Sequence, residues 1–180
     1  MELESKRLKL QEVTWYVLEK LHLLYSLPEV DEYNTLGIPV NIEGTKEIIR
    51  PMIDAQLEED RKSYAWKIIR KDSGEFIGMA GINLSANRFR LGEIFYELFP
   101  SHWGQGYATE VAKRLIKAGF DDFNLHKVEA GVATGNVSSI RVLAKTGMSK
   151  EELRRKILPI RGGPKDNYHY AIVKGHPRDY

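Results

Sequence analysis

The stretch Phe99-Pro-Ser-His-Trp-Gly-Gln-Gly-Tyr-Ala-Thr-Glu110 decides the fold that this sequence predicts. It follows a strand-like run at 91–98 and precedes a run at 110–119 whose apolar residues recur at helical spacing. A glycine-bearing loop between a strand and a helix builds an anion site, because the first N–H groups of a helix lack intrahelical partners. Gly104 and Gly106 have no Cβ, so an anion can approach their main chain closely. The stretch contains no Lys or Arg, so the backbone would supply most of the attraction.

The glycine pair alone is a weak signal, and a tight turn remains the alternative interpretation. Spacing excludes two better-known phosphate loops. The chain has no Gly-x-x-x-x-Gly-Lys-Ser/Thr, and no Gly-x-Gly-x-x-Gly followed by an acidic residue about 20 positions on. The interpretation of the loop therefore needs support from the rest of the chain.

Length and composition predict one globular domain that spans 1–180. The 180 residues are 42% hydrophobic and 29% charged, which is enough to bury a proper core. The net charge of +2 favours neither a nucleic-acid partner nor a membrane surface. Cysteine is absent, which excludes disulfides, thiolate metal sites and a cysteine nucleophile. Because the sequence shows no signal-peptide core and no apolar run of membrane-spanning length, we expect a cytoplasmic protein.

The pattern of apolar residues predicts an α+β protein. Strands are expected at 5–12, 65–70, 76–84, 91–98, 125–133, 152–159 and 168–174, and helices at 15–25, 110–119 and 137–145. Thr14 is the expected N-cap of the first helix. A further helical run begins at Thr45, and Pro51 inside it predicts a kink or a later start. Short turns between the strands at 65–98 predict antiparallel hairpins before the glycine loop.

This order of elements, together with four motifs, resembles the GNAT superfamily of acetyl-CoA-dependent N-acetyltransferases. The motifs are Lys6-Arg-Leu-Lys-Leu10, Phe76-Ile-Gly-Met-Ala-Gly81, Trp103-Gly-Gln-Gly-Tyr-Ala-Thr-Glu110 and Asn136-Val-Ser-Ser-Ile-Arg-Val-Leu-Ala-Lys-Thr-Gly-Met148. Within the superfamily the chain is most similar to the Rim-type branch, which includes ribosomal-protein N-terminal acetyltransferases. The resemblance implies the GNAT fold, with a mixed, mostly antiparallel sheet of six to seven strands and helices on both faces. It also implies acetyl-CoA as co-substrate.

The resemblance also implies where the cofactor binds. Trp103 occupies the first position of the superfamily's Gln/Arg-x-x-Gly-x-Gly/Ala loop, as is usual in the Rim-type branch. The residues implied to bind coenzyme A are Leu98, Phe99, Trp103, Gly104, Gln105, Gly106, Tyr107, Ala108, Thr109, Asn136 and Ser139. From the residues alone, Asn136 is a helix N-cap and Ser139 is the third residue of that helix, a role that is compatible with contacting the cofactor.

Two glutamates are candidates for the base that takes a proton from an attacking amine. Glu93 and Glu97 fall on one face of the same predicted strand, because side chains alternate along a strand. Two solvent-facing positions are the equally simple alternative. The resemblance favours Glu93 as the base, with Glu97 second. It also implies that Ser139 protonates the leaving thiolate, since Leu143 stands where many superfamily members have Tyr.

The acceptor is expected to be a primary amine, either a protein N-terminus or a small molecule, that attacks directly in a ternary complex. Its pocket is expected near aromatic residues of the early helices and the last strands: Tyr25, Tyr33, Trp66, Tyr168 and Tyr170. A longer acyl group, or a catalytically inactive coenzyme A-binding regulatory protein, remains an alternative, and a monomer or a homodimer is equally compatible. The chain has five histidines without metal-ligand spacing, so no metal site is predicted: His22, His102, His126, His169 and His176.

Overall fold

A mixed sheet of eight strands lies between two layers of helices in the computed structural model, which describes residues 1–175. The strands are β1 (Leu3–Glu4), β2 (Leu8–Glu12), β3 (Ser63–Arg70), β4 (Phe76–Leu84), β5 (Leu91–Leu98), β6 (Lys127–Ala133), β7 (Ser149–Leu158) and β8 (Lys165–Val173). The helices are α1 (Leu18–Tyr25), α2 (Pro28–Asp31), α3 (Ile42–Asp54), α4 (Tyr107–Asp121) and α5 (Val137–Thr146). Short 3-10 turns occupy Trp15–Val17, Ala55–Leu57 and Pro100–His102. His176 lies outside the described residues.

The strand order β1-β2-β3-β4-β5-β6-β8-β7 contains one parallel pair, β5 with β6, and the other neighbours are antiparallel. Pairing of β5 with β6 runs only from Leu91 and Lys127 to Glu93 and Glu129, although β5 continues to Leu98. The two strands therefore separate towards their carboxyl ends. Helix α4 follows β5 and helix α5 follows β6, so both helices begin near this gap. Open sheets place ligands at the carboxyl ends of parallel strands.

Alternation of side chains along the strands divides the core into two clusters, one on each face of the sheet. On one face, α4 and α5 pack on a cluster that includes Ile94 and Leu98. On the other face, α1 and α3 pack on a cluster that includes Met79. In β5, Tyr96 packs against the first cluster, whereas Glu97 lies on the face of the second. The strand therefore presents different chemistry to the two layers of helices.

The predicted fold class is confirmed: the sheet is mixed and mostly antiparallel, with helices on both faces. It has eight strands instead of six to seven, because residues 3–4 form a short additional strand at the edge. The first helix begins as a 3-10 turn after Thr14, and the Thr14 side chain makes no capping bond there.

Helix α3 begins earlier than the sequence predicts. Asn41 is its N-cap, because the Asn41 side chain accepts a hydrogen bond from the Gly44 amide at 3.1 Å. Thr45, the expected start, is instead buried inside the helix, and its hydroxyl lies 2.7 Å from His22 Nδ1 of α1. The helix continues through Pro51 to Asp54, so this proline does not mark a later start.

Candidate active site

Two glycines give the loop before α4 the backbone conformation of an anion site. Gly104 and Gly106 have φ of 71° and 80°, a left-handed conformation that other residues rarely adopt. A Cβ at Gly104 would meet no atom within 4 Å, so the main chain there is open to a ligand. Gly106 is the N-cap of α4 and has no side chain with which to cap the first turn. The first N–H groups of α4 are therefore available to an anion.

A cation that is remote in sequence borders this loop. The Arg7 guanidinium donates through Nη1 to the Gln105 carbonyl oxygen at 3.0 Å, and it lies 4.3 Å from the centre of the Tyr107 ring. A Cβ at Gly106 would stand 3.4 Å from Arg7 Nη2. The expectation that the backbone supplies most of the attraction is therefore incomplete, because a positive charge lies beside the N–H groups.

Glu110 anchors the Arg7 segment to α4. Its Oε1 accepts from the Ser5 hydroxyl at 2.6 Å and from the Arg7 amide at 2.7 Å, and its Oε2 accepts from Arg7 Nε at 2.7 Å. Burial raises the pKa of Glu110, but hydrogen bonds from Ser5 and Arg7 outweigh this effect and hold that pKa below its ordinary value. An ionised Glu110 thus keeps the cation in place beside the loop.

The side chains of the loop itself fix its shape. Trp103 Nε1 donates to the Leu98 carbonyl oxygen at 2.9 Å, and Gln105 Nε2 donates to the Ser101 carbonyl oxygen at 2.9 Å. The first turn of α4 follows directly, with Tyr107 buried and with Ala108 and Thr109 next to it. The polar groups of Trp103 and Gln105 are therefore used to hold the loop, and the main chain is what the loop offers to a ligand.

The end of β5 presents one edge to the gap. The Phe99 amide donates to the Ile77 carbonyl oxygen at 3.0 Å, so it is used within the sheet. Because donor direction alternates along a strand, the Leu98 amide points to the opposite edge, where β6 has separated from β5. The Leu98 carbonyl oxygen at this edge accepts from Trp103, so the Leu98 amide is the group that remains available to an extended ligand.

Two hydroxyl groups meet at the start of α5. Asn136 Oδ1 accepts from the Ser139 amide at 3.1 Å, which confirms the predicted N-cap. Ser139 Oγ lies 2.9 Å from the Tyr96 hydroxyl of β5. Burial raises the pKa of Tyr96 to about 12, although the bond with Ser139 lowers it in part, so the phenol keeps its proton. Leu143 is buried in the core beneath α5. A tyrosine hydroxyl therefore reaches the start of α5 from Tyr96 of β5, and not from position 143 of α5 itself.

Glu93 and Glu97 share one face of β5, but their surroundings differ. Glu93 is exposed and lies at the last position where β5 pairs with β6. Glu97 lies beyond that point, and Asn34 Nδ2 donates to its Oε1 at 2.8 Å. Glu97 Oε2 is buried and has no hydrogen-bond partner within residues 1–175. Only Glu97 therefore combines a fixed orientation with a desolvated oxygen.

Desolvation changes the acidity of Glu97. Burial raises the pKa of Glu97 from its ordinary value of 4.5 to about 7, and the nearby Tyr25 hydroxyl lowers it only in part. That hydroxyl also lies 3.5 Å from Met79 Sδ, to which it donates. A carboxylate with a pKa close to neutrality is more basic than an ordinary one, which suits a general base. These surroundings favour Glu97 over Glu93, the reverse of the order that the resemblance implied.

The aromatic residues expected around the acceptor lie on both faces of the sheet. Tyr25 is next to Glu97, and Tyr33 lies 3.3 Å from where a Cβ at Gly135 would stand, over the connection from β6 to α5. The other three belong to, or pack against, the cluster under α4 and α5: Trp66, Tyr168 and Tyr170. Side chains alternate along a strand, so these three lie on the opposite face of the sheet from Glu97.

The buried histidines each contact one carboxylate. His102 Nε2 lies 3.3 Å from Glu75 Oε2, and His169 Nε2 lies 3.3 Å from Glu129 Oε2. In the part of the chain that the structure describes, no group of three or more His, Cys, Asp or Glu residues is placed to hold a metal ion. The same described residues include no helix that is long and apolar enough to cross a membrane.

Comparison with known proteins identifies the family. The family model of the acetyltransferase (GNAT) domain matches residues 7–149. YoaA of Bacillus subtilis (strain 168), an uncharacterized N-acetyltransferase, is 35% identical over 98% of each chain. Spermidine N-acetyltransferase of Vibrio cholerae, solved with CoA and spermine, has a TM-score of 0.81 at 20% identity, covering 93% of this chain and 95% of that one. RimL, a ribosomal L7/L12 alpha-N-protein acetyltransferase solved with coenzyme A, has a TM-score of 0.85 at 16% identity, covering 96% and 98%.

The last two similarities show the fold, and the first two show the family. The matched segment contains the loop before α4, the Glu93 and Glu97 strand and the start of α5. The chain therefore belongs to the GNAT acetyltransferase family, as its motifs predict, and it is an N-acetyltransferase.

Proposed function

We propose that the protein transfers the acetyl group of acetyl-CoA to a primary amine, which attacks the thioester directly in a ternary complex. The observation that carries the proposal is the position of Glu97 at the gap between β5 and β6, where its Oε2 is buried and its pKa is raised to about 7. A base at this position can take a proton from an amine that approaches from the side of α1.

The residues present fit coenzyme A. The open main chain at Gly104, the N–H groups at the start of α4 and the Arg7 guanidinium suit a pyrophosphate. The unpaired edge of β5, including the Leu98 amide, suits an extended ligand that bonds as a strand does. When it is bound, acetyl-CoA supplies the activated acetyl group. We assign the remaining residues of the loop, from Trp103 to Thr109, to shaping this cradle.

Glu97 is the proposed general base. Asn34 holds its Oε1, so the unpaired Oε2 is the atom that accepts the proton as the amine nitrogen bonds to the acetyl carbon. The buried location keeps water from competing for the same oxygen. Glu93 is the second candidate, because it lies on the same face of β5 but is exposed.

Ser139 is the proposed partner of the leaving thiolate. Tyr96 keeps its proton, so its hydroxyl can donate to Ser139 Oγ, and in that arrangement the Ser139 hydrogen is free to point at the sulfur. Linked hydroxyls polarise one another, so Tyr96 acts as a positioning residue for Ser139. The main-chain N–H groups at the unpaired edge of β5 are the candidate donors to the developing oxyanion.

The same site and proteins of the same fold support the proposed class of acceptor. A neutral amine is what a carboxylate base of this kind activates. Among proteins of the same fold, one acts on spermidine and another on a ribosomal protein. A primary amine on a small molecule or a protein N-terminus is therefore the proposed acceptor.

Calorimetric titration with acetyl-CoA tests the cofactor site. Gly106→Ala places a Cβ in a residue with φ of 80°, 3.4 Å from Arg7, whereas Gly74→Ala imposes similar strain at φ 71° in the β3–β4 turn, where a Cβ would meet no atom within 4 Å. Both variants should lose about 1 kcal/mol of stability. Only Gly106→Ala should weaken acetyl-CoA binding, by about tenfold, because its loop must rearrange.

Release of free coenzyme A thiol in the presence of primary amines tests the transfer itself. Wild type should release thiol, and Glu97→Gln should do so about a hundredfold more slowly with unchanged affinity for acetyl-CoA. Binding without turnover, across a broad set of amines, would instead support a regulatory coenzyme A-binding protein. Absence of acetyl-CoA binding by wild type would refute the proposal.

A further inference from the structure

A cleft lined by Asn34, the partner of Glu97, contains a buried carboxylate, Asp31. The cleft has a volume of about 430 Å³ and is lined by Asp31, Asn34, residues 35–38, Pro159 and Arg161. Asp31 is 2% exposed, and its Oδ2 lies 3.2 Å from Arg161 Nε. Its Oδ1 is buried and has no hydrogen-bond partner anywhere in the described chain. A carboxylate oxygen without a donor is costly, so the cleft lacks a group that a ligand can supply.

Asn34 connects this cleft to the candidate base. It lines the cleft, its Nδ2 donates to Glu97 Oε1 at 2.8 Å, and its amide donates to the Asp31 carbonyl oxygen at 3.0 Å. Glu97 Oε2 is the other buried carboxylate oxygen without a donor in this region of the described residues. The fold thus holds two carboxylates near one asparagine, and each has one buried oxygen without a donor. A ligand with two separated N–H groups matches that arrangement.

We propose that the acceptor carries a second cationic nitrogen, which Asp31 binds while the reacting amine lies at Glu97. The acceptor class is then a linear diamine or a longer polyamine, in preference to a simple monoamine. This inference rests on the proposed function, since it names the substrate of the same site. The reacting nitrogen gives up a proton to Glu97, whereas the second nitrogen stays protonated and is held by charge-assisted hydrogen bonding to Asp31.

Arg161 contacts Asp31 in the structure, but this contact is weak enough for a ligand to replace it. The Arg161 side chain is 62% exposed, and an ion pair that reaches so far into solvent is worth little. A ligand ammonium group that binds Oδ1 can therefore share Asp31 with Arg161 or displace it. Arg161 would attract an acceptor that carries a carboxylate, but Asp31 and Glu97 would repel it because they have the same charge. A preference for a cationic acceptor would indicate binding by Asp31, and a preference for an anionic acceptor would indicate binding by Arg161.

Acceptors of equal length test the proposal. Butylamine, 1,4-diaminobutane and 4-aminobutyrate differ only in the group at the far end of the chain, and diamines of three to five carbons establish the spacing. Wild type should use the best diamine with kcat/KM about 10- to 100-fold above that of the matching monoamine. Asp31→Asn should remove this advantage by lowering kcat/KM for the diamine about 10- to 100-fold, towards the value for the monoamine. Glu29→Gln, which removes an exposed charge from the same helix, should leave the advantage intact.

Calorimetric binding of the same diamines in the presence of coenzyme A is a readout that does not need turnover. The diamine should bind more tightly than the monoamine, and Asp31→Asn should lose the difference. Equal use of monoamines and diamines, or a preference for 4-aminobutyrate that Arg161→Gln abolishes, overturns the inference while the proposed function stands. Diamine binding that depends on Asp31, with no acetylation of any amine, supports the cation site and overturns the proposed function. If no diamine binds, the inference is overturned.

Discussion

Replacing Glu97 by Gln should stabilise the protein at alkaline pH and change it little at acidic pH. Burial raises the pKa of this carboxyl from 4.5 to about 7 in the folded protein, whereas the unfolded chain keeps the ordinary value. Between these two values the folded protein holds a proton that the unfolded chain has lost. The contribution of Glu97 to the free energy of unfolding therefore falls as the pH rises from about 4.5 to about 7. Above about pH 7 Glu97 is ionised in both states, and the loss of stability is then complete.

The magnitude follows from the same two values. One pKa unit is worth about 1.4 kcal/mol, so ionising Glu97 in the folded protein costs about 3 kcal/mol more than in the unfolded chain. Gln does not ionise, and it keeps an oxygen that can accept from Asn34. The free energy of unfolding of Glu97→Gln should exceed that of wild type by less than about 1 kcal/mol at pH 5 and by about 3 kcal/mol at pH 9.

Urea denaturation of both proteins at the two pH values measures this difference. Glu93→Gln is the matched control, because it makes the same change on the same face of β5 at an exposed position. It should alter the free energy of unfolding by less than about 0.5 kcal/mol at either pH. A Glu97→Gln protein that is no more stable than wild type at pH 9 would refute the conclusion that Glu97 ionises at a cost.

Further variants test the base, the pair of hydroxyls and the anchored arginine. The kcat/KM of wild type should rise with pH around a midpoint of about 7, and Glu97→Gln should lose this limb in a pH profile at saturating acetyl-CoA. Tyr96→Phe should lower kcat by about tenfold without changing acetyl-CoA affinity, and adding Ser139→Ala should lower it little further, because the two hydroxyls act as a unit. Glu110→Gln should cost about 1–2 kcal/mol in urea denaturation and weaken acetyl-CoA binding several-fold in calorimetry, because it loosens the charge-assisted bonds to Arg7. Unchanged acetyl-CoA binding in this last variant would show that Arg7 does not support the loop.

Local features of the site are readable in the sequence because their causes are local. The loop before α4 needs glycine at positive φ, and Gly104 and Gly106 supply it. Asn136 caps α5 through a residue three positions away. Strand alternation correctly places Glu93 and Glu97 on one face, since that prediction needs only the spacing of two residues.

The features that the sequence does not reveal depend on contacts between distant segments. Arg7 and Glu110 are 103 positions apart, and nothing in either neighbourhood indicates the other. Which of the two glutamates is the better candidate for the base depends on where β5 separates from β6, and that is a property of strand register. The sequence likewise does not reveal that Trp66 lies under α4 and α5, because alternation shows that side chains share a face but not which helices cover that face.

The two halves of the site are built from different parts of the backbone, and this has a consequence for specificity. The proposed cofactor side uses main-chain groups of β5 and of the loop before α4, whose conformation depends on glycines. The proposed acceptor side uses side chains from the end of α2, from Asn34 shortly after it and from the β7–β8 turn, where Arg161 contacts Asp31. Because Asn34, Asp31 and Arg161 take no part in holding the loop before α4, substitutions of these residues should change which amine is used while acetyl-CoA affinity stays constant. A relative with the same loop but without Asp31 would then share the cofactor and prefer a different acceptor.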